Sequence, residues 1–331
     1  MDEARLAARL GVVIRALSRM PGGAIQQNWA LDVTLPGGRE AGWVLRTNNP
    51  GTLAVSRTRA EEFALLRAAH AAGACVAEPL LLCEDAAILG APFFVMRRIP
   101  GTAAGHLLAR QARDAGGEPT LVAAMGRALA RIHAIRPPRP DLAFLGDPPA
   151  DPCAAFVARM RARLDAAATP RPVLEWGLEA LARNAPPPRP AALAHNDFRT
   201  GNLMVDAGAL AGILDWEFAG WDDPAADLGW FCAPCWRFGN RGPGFEAGGL
   251  GPEASLLAGY TEAGGEAPGE GRLAWWRLAA TIRWAVIAAD QAGRFLSGAE
   301  SALELALTGH VIPELELDVL HMVEAMDAGT A

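Results

Sequence analysis

The stretch His195-Asn196-Asp197-Phe198-Arg199-Thr200-Gly201-Asn202-Leu203-Met204-Val205 is followed closely by Gly212-Ile213-Leu214-Asp215-Trp216-Glu217. The first part has the form H-x-D-x-x-x-x-N. The second is a short apolar strand that ends in an aspartate. The five-residue spacing puts Asp197 and Asn202 on one loop, entered from an apolar strand. A hairpin between Leu203 and Leu214 is expected to return Asp215 to the same mouth.

These residue types suit phosphoryl transfer, where catalysis is mostly positioning and charge stabilisation. A carboxylate must orient an acceptor hydroxyl and take its proton, and Asp197 fits that task. Magnesium prefers oxygen ligands and takes few of them from protein. Asn202 offers an amide oxygen and Asp215 a carboxylate. His195 is expected to act mainly by holding the loop through hydrogen bonds. The expected catalytic set is therefore Asp197 and Asn202, with His195 in support.

Around this segment, 331 residues allow two cores. All 30 basic residues are arginine, so any step that needs a lysine must use another group. Residues 1–150 carry 17 Arg against 13 acids, or +4, and residues 151–331 carry 13 against 24, or −11. The acidic back half disfavours nucleic acid as a partner. No apolar run approaches the ~20 residues that span a bilayer, and Met1 to Arg9 lacks a signal-peptide pattern. A cytoplasmic protein with no membrane partner is the expectation. Five cysteines, Cys75, Cys83, Cys153, Cys232 and Cys235, are expected as reduced thiols. Cys232 and Cys235 have metal or redox spacing without a second pair, so buried thiols are the first reading.

Periodicity organises the rest. Leu6, Leu10, Val13, Ile14 and Leu17 predict one helix over 3–19, stopped by Pro21-Gly22-Gly23. Trp29, Leu31 and Val33 alternate as on a strand over 24–34. Pro36-Gly37-Gly38 is a turn, and Trp43-Val44-Leu45-Arg46 is the second strand of a hairpin. A helix follows over 57–72, then short strands at 79–83 and 93–96. Helices are predicted over 120–135, 152–166, 173–183, 252–264, 272–297, 299–309 and 313–327. Tryptophans 216, 221, 230, 236, 275, 276 and 284 are read as core first and as an acceptor pocket second. The glycine-rich loop 238–251, with Arg237, Phe238 and Arg241, is a candidate lid. The fold class is α+β and bilobal, with a small antiparallel-sheet lobe over 1–96, a hinge over 97–101 and a larger helical lobe over 102–331.

The segment resembles the aminoglycoside phosphotransferase and choline kinase superfamily, which has a protein-kinase-like fold. Asp223-Pro224-Ala225-Ala226-Asp227-Leu228-Gly229 is similar to that family's DP-x-x-DL stretch. Phe94-Val95-Met96-Arg97-Arg98-Ile99-Pro100-Gly101 is similar to its interlobe hinge, and Glu62 to the acid of its small-lobe helix. Within the superfamily the chain looks most like the bacterial branch related to the kinase domain of certain acyl-CoA dehydrogenases. The resemblance implies ATP and Mg2+ as cofactors and a nucleotide plus a small-molecule hydroxyl acceptor as partners. It implies Asn202 and Asp215 as metal ligands and Asp227 as a structural acid behind the loop. It implies that Gly22, Gly23 and the run Gln26-Gln27-Asn28 cover the phosphates, and that Met96 and the backbone of Arg97 and Ile99 hold adenine. One departure stands out: where kinases place a lysine that pairs with the phosphates and the helix acid, here there is Arg46. Arginine keeps the charge but differs in reach and geometry. A second departure is Asn196 in place of a glycine, tolerable if the backbone is left-handed there.

Three activities fit these residues. The first is a kinase for a metabolite hydroxyl, with a hydroxyacyl-CoA-type acceptor implied by the branch. The second is an aminoglycoside or other antibiotic kinase, and the third is a non-catalytic nucleotide-binding module.

Overall fold

Gly11 ends the first helix early. The structure, a computed structural model, describes residues 2–20, 26–48, 57–167 and 169–329. Helix α1 runs only Glu3–Leu10, with the Asp2 side chain accepting the Arg5 N–H at 3.1 Å and Gly11 closing the helix at φ 65°. The chain then extends as strand β1, Val13–Arg19. The helix expected over 3–19 is thus a helix and a strand. A left-handed glycine interrupts the helical pattern, and the β-branched pair Val13-Ile14 beyond it favours the pleated sheet.

Strands β2 (Gln26–Thr34) and β3 (Glu40–Asn48) form the expected hairpin through Pro36-Gly37-Gly38. Helix α2 (Arg59–Ala71) opens with a reciprocal cap, Thr58 accepting from the Glu61 N–H while Glu61 accepts from the Thr58 N–H. Strand β4 (Pro79–Cys83), the short helix α3 (Ala86–Leu89) and strand β5 (Phe93–Arg97) follow. The sheet order is β1-β2-β3-β5-β4 with every pair antiparallel. Leu6, Leu31, Val33, Leu45, Cys83, Phe93 and Val95 bury together beneath it, with Trp29 packed against them. Each such large side chain contributes about 1.5–3 kcal/mol of apolar burial.

The helical part begins with α4 (Gly105–Ala115) and α5 (Pro119–His133), continues with α6 (Pro152–Asp165) and α7 (Pro172–Arg183), and reaches the short strand β6 (Ala192–Ala194). A hairpin comes next, β7 (Leu203–Asp206) and β8 (Ala209–Ile213), followed by β9 (Gly220–Asp222), which pairs with β6. Helices α8 (Ala225–Cys232), α9 (Glu253–Glu262), α10 (Glu270–Leu296), α11 (Leu303–Gly309) and α12 (Ile312–Asp327) complete the chain. Helices α4 and α8 were not anticipated. Every residue of α8 is buried, so it carries no amphipathic period to read.

Two compact units result. The first holds residues 1–102, 138–146 and 203–219, and the second holds 103–137, 147–202 and 220–331. A division at 97–101 alone leaves two of those segments out of the first unit. The β7–β8 hairpin joins it because Thr102 and Val205 exchange both backbone hydrogen bonds at 2.9 Å. Gly101 makes that exchange possible. Its φ is +101°, and an added Cβ would lie 2.2 Å from the Val205 carbonyl oxygen. Gly101→Ala is therefore expected to destabilise the protein by about 2–3 kcal/mol. Urea denaturation measures it, and a loss below about 0.5 kcal/mol would remove the steric argument.

In the second unit, Leu174, Leu178 and Leu181 of α7 meet Trp275, Leu278 and Ile282 of α10 and Leu315, Val319 and Val323 of α12. Helices α5 and α9 touch backbone to backbone. A Cβ on Gly126 would sit 2.0 Å from the Leu256 carbonyl oxygen, and one on Gly259 2.0 Å from that of Ala123. This close approach presents Tyr260 of α9 to His133 at the end of α5. Among the described residues, no helix is long and apolar enough to cross a membrane.

Candidate active site

In the second unit, β6 delivers the chain into the H-x-D-x-x-x-x-N loop, where Asn196 adopts φ 60°. That is the left-handed conformation that asparagine tolerates and most side chains do not. The turn aims two successive N–H groups, of His195 and Asn196, at the Asp227 carboxylate, each at 2.7 Å. A third contact comes from His133, whose Nε2 lies 3.0 Å from Asp227 Oδ2. A carboxylate needs a donor there, so Nε2 carries the proton and Nδ1 accepts from the Tyr260 hydroxyl at 2.8 Å. Burial pushes Asp227 up, but the hydrogen bonds from His133 and the His195 N–H outweigh it and hold the carboxyl below its ordinary value. Asp227 thus stands behind the loop, as the resemblance implied.

His195 is fully buried, and its Nδ1 accepts the Asp197 N–H at 3.2 Å. Asp197 itself is nearly enclosed. Asn202 Nδ2 donates to its Oδ2 at 2.6 Å and to its carbonyl at 2.9 Å. Trp230 Nε1 donates to Oδ1 at 3.2 Å, and Arg199 Nε approaches the same carboxylate at 3.3 Å. The Arg199 guanidinium also lies 5.2 Å above the Trp236 ring. With its amide nitrogen committed to Asp197, Asn202 keeps the amide oxygen as its atom for a cation.

The first unit gathers a separate charge cluster. Arg46 on β3 reaches Glu62 of α2 with Nε at 2.8 Å and Asp215 with a terminal nitrogen at 3.1 Å. Arg59, fully buried at the start of α2, pairs with the other oxygen of Glu62 and donates to the Arg57 carbonyl at 3.0 Å. Burial is the largest influence on Glu62 and pushes its carboxyl above the ordinary value, with Arg46 and Arg59 opposing it. Burial likewise lowers Arg59. Asp215 sits at φ 64°, just past β8, and its side chain is 34% exposed against 4% for Glu62. Of the two acids on Arg46, Asp215 is the accessible one.

Met96 is half-buried on β5, the Arg97 N–H donates to the Glu78 carbonyl at 2.9 Å, and Ile99 lies over Gly212 of β8. Gly22 and Gly23 fall outside the described residues. Asn28 stands opposite Arg46 in the β2–β3 register, and its buried side-chain oxygen has no hydrogen-bond partner. The accessible carboxylate of Asp215 is an oxygen donor of the kind magnesium takes. Among the described residues no cluster of three or more His, Cys, Asp or Glu could cage a metal. A magnesium that arrives on phosphates needs no such cage.

Sequence reasoning missed Arg59, His133 and Tyr260, and it read Trp230 as core or acceptor pocket rather than as a partner of Asp197. Only Arg59 left a signal, an arginine three residues before Glu62 at a capped helix start. The loop 238–251 is tied down where a lid would be free: Thr200 donates to the Gly248 carbonyl at 2.7 Å, and Asn240 donates to the carbonyls of Ala109 and Gly249. The tryptophans are core, with 216, 221, 230, 236, 275 and 276 buried. The five cysteines form no disulfide among the described residues, and burial pushes the thiols of Cys153, Cys232 and Cys235 up, which leaves them poor nucleophiles.

A profile of the phosphotransferase enzyme family matches residues 16–276. Acyl-CoA dehydrogenase family member 10 of Mus musculus is 32% identical over 197 residues, 57% of this chain and 18% of that protein. Family member 11 of Gallus gallus is 32% identical over 198 residues, 56% of this chain and 24% of that protein. The chain thus matches a quarter or less of the length of these relatives. A Ralstonia eutropha protein classed provisionally as an aminoglycoside phosphotransferase superposes with a TM-score of 0.74 at 21% identity, over 98% of both chains. An aminoglycoside phosphotransferase in complex with ADP and hygromycin B gives 0.59 at 16% identity, over 98% of both chains. A choline/ethanolamine kinase family protein from Mesorhizobium loti gives 0.60 at 18% identity, over 98% of this chain and 94% of that one. At these identities the structural matches establish the fold: an antiparallel-sheet part followed by a helical part.

Proposed function

The chain belongs to the phosphotransferase enzyme family, and from that premise we propose that it moves the γ-phosphoryl group of ATP to a hydroxyl of a small molecule. The observation that carries this reading is the Asp197 carboxylate, held by Asn202 and Trp230 on separate oxygens. Such a group can orient a hydroxyl and receive its proton. The acceptor oxygen forms a bond to the γ-phosphorus and the bond to the β-phosphate oxygen breaks. ADP leaves with that electron pair, and the hydroxyl proton passes to Asp197. Asp215 and the Asn202 amide oxygen are assigned to the magnesium, which screens phosphate charge when bound. Arg46 pairs with the phosphates in place of lysine, and Glu62 keeps it extended toward them. Met96, Ile99 and the Arg97 backbone are assigned to adenine, and Gly22 and Gly23 to the phosphates.

A hydroxyacyl-CoA-type metabolite is the favoured acceptor, supported by the identity to acyl-CoA dehydrogenase family members. The antibiotic reading draws on the acidic back half, but several of those acids already have arginine partners. Arg241 takes Glu314 and Asp318, and Arg171 lies 3.6 Å from Glu316. Transfer of label from γ-labelled ATP to hydroxyacyl-CoA compounds and to aminoglycosides separates the two. Labelled thioester that is absent with Asp197→Asn supports the first, and labelled drug alone reverses the choice.

Arg46 gives a sharper expectation. Arg46→Ala removes one of the two arginines on Glu62 and an arginine on Asp215 and should weaken magnesium-ATP binding by about 10–100-fold, the equivalent of 1.5–3 kcal/mol for charge-assisted hydrogen bonds. Arg46→Lys should recover part of it. Isothermal titration reads both, and an unchanged affinity for Arg46→Ala removes Arg46 from the nucleotide site.

A further inference from the structure

Helix α8 meets the catalytic loop twice. Asp227 accepts the loop's backbone N–H groups, and three residues on, along the same face, Trp230 gives its indole N–H to the Asp197 carboxylate. Trp230 is buried, so this hydrogen bond is shielded from water. Its ring is in turn held from α10. The Arg283 guanidinium lies 4.4 Å over the ring while Arg283 donates to the Asn196 carbonyl at 2.7 Å. Trp236 packs on the ring's surroundings with centroids 5.1 Å apart.

We propose that Trp230 is a positioning residue for phosphoryl transfer: its indole N–H, fixed by Arg283, sets the direction in which Asp197 faces the acceptor hydroxyl. The inference rests on the phosphotransferase reading. Asn202 binds Oδ2, and the part-buried Arg199 Nε lies 3.3 Å from both oxygens, so neither is a donor committed to Oδ1. Trp230 binds the other oxygen, and two donors on separate oxygens fix the plane. The lone pairs left over then point one way, which is the pre-organisation that a base needs before the acceptor arrives. No motif contains Trp230, because the contact joins residues 33 apart in the chain.

The test uses the full chain labelled with 15N in its tryptophans, with the Trp230 indole resonance assigned by triple-resonance spectra. In Asp197→Ala that proton should shift and exchange faster with water, and Asp197→Asn, which keeps an acceptor oxygen, should shift it less. An indole resonance unmoved by Asp197→Ala overturns the proposal without any Trp230 variant having to fold. Magnesium-dependent ATP hydrolysis, with water as the acceptor, supplies the second measurement. Trp230→Phe should lower kcat about tenfold or more with KM for ATP unchanged. Trp276→Phe, which removes a buried indole N–H that has no hydrogen-bond partner, should leave kcat unchanged. Trp230→Phe turning over like Trp276→Phe, while Asp197→Ala is inactive, overturns the positioning role alone. Asp197→Ala turning over like the parent overturns the phosphotransferase reading beneath it.

Discussion

Asp197→Asn should abolish phosphoryl transfer, lowering kcat by about 10²–10⁴-fold while magnesium-ATP affinity stays within a factor of about two. The amide has the shape of the carboxylate but cannot take a proton from an acceptor hydroxyl. It is also a mismatch for its surroundings. Asn202 and Trp230 each donate to a separate oxygen of Asp197, and Arg199 approaches the same carboxylate. An amide offers one oxygen and one NH2 group, so at least one of these donors must lose its partner. That loss costs about 1–3 kcal/mol of stability. Circular dichroism and a melting curve should accompany the kinetics, to show that the inactive protein is folded. The nucleotide side is the control, because Arg46, Glu62 and Asp215 form their own cluster without Asp197. A variant that transfers label at more than a tenth of the parent rate would sink the assignment of Asp197 as base.

What could be read beforehand follows from where the information lies. The loop and hairpin were legible because H-x-D-x-x-x-x-N and the following Asp215 are local in the chain, and local order predicts local geometry. The left-handed backbone at Asn196 was only a condition attached to the resemblance, where the family has a glycine, and φ there is 60°. Arg46 was picked out by its place in the second strand, and it does pair with Glu62 and Asp215. The helix over 3–19 misled because an apolar period of three to four residues continues across Gly11, while the backbone conformation at one residue decides the ending. Helix α8 was silent because it is buried on all sides. His133, Tyr260 and the contact of Trp230 with Asp197 were silent for another reason. His133 lies 94 residues before Asp227, and nothing in the apolar face of α5 marks it as a partner of the loop. Long-range polar contacts of this kind are visible only after the helices are packed. Here the packing depends on Gly126 and Gly259, which let α5 and α9 approach closely.

Asp227→Asn tests that buried support and should cost about 3–5 kcal/mol, the range for leaving buried charged and polar groups without their partners. The carboxylate accepts the His195 and Asn196 N–H groups and His133 Nε2 together. An asparagine would turn an NH2 toward at least one of them, donor against donor. His133 could respond by changing tautomer, with Nδ1–H then donating to the Tyr260 oxygen, but the His195 and Asn196 N–H groups have no such adjustment. The pH dependence separates this from a simple packing defect. The Asp227 carboxyl is held below its ordinary value of 3.8 in the folded protein. A depressed carboxyl adds stability that is fully present above the unfolded value and fades as the pH falls through the folded one. The stability gap between the parent and Asp227→Asn should therefore be widest above about pH 4 and narrow on further acidification. Urea denaturation at pH 7 and pH 3 measures both ends. A gap equally large at the two values means that the ionised carboxylate is not what supports the loop, and the support must then come from packing of α8 alone.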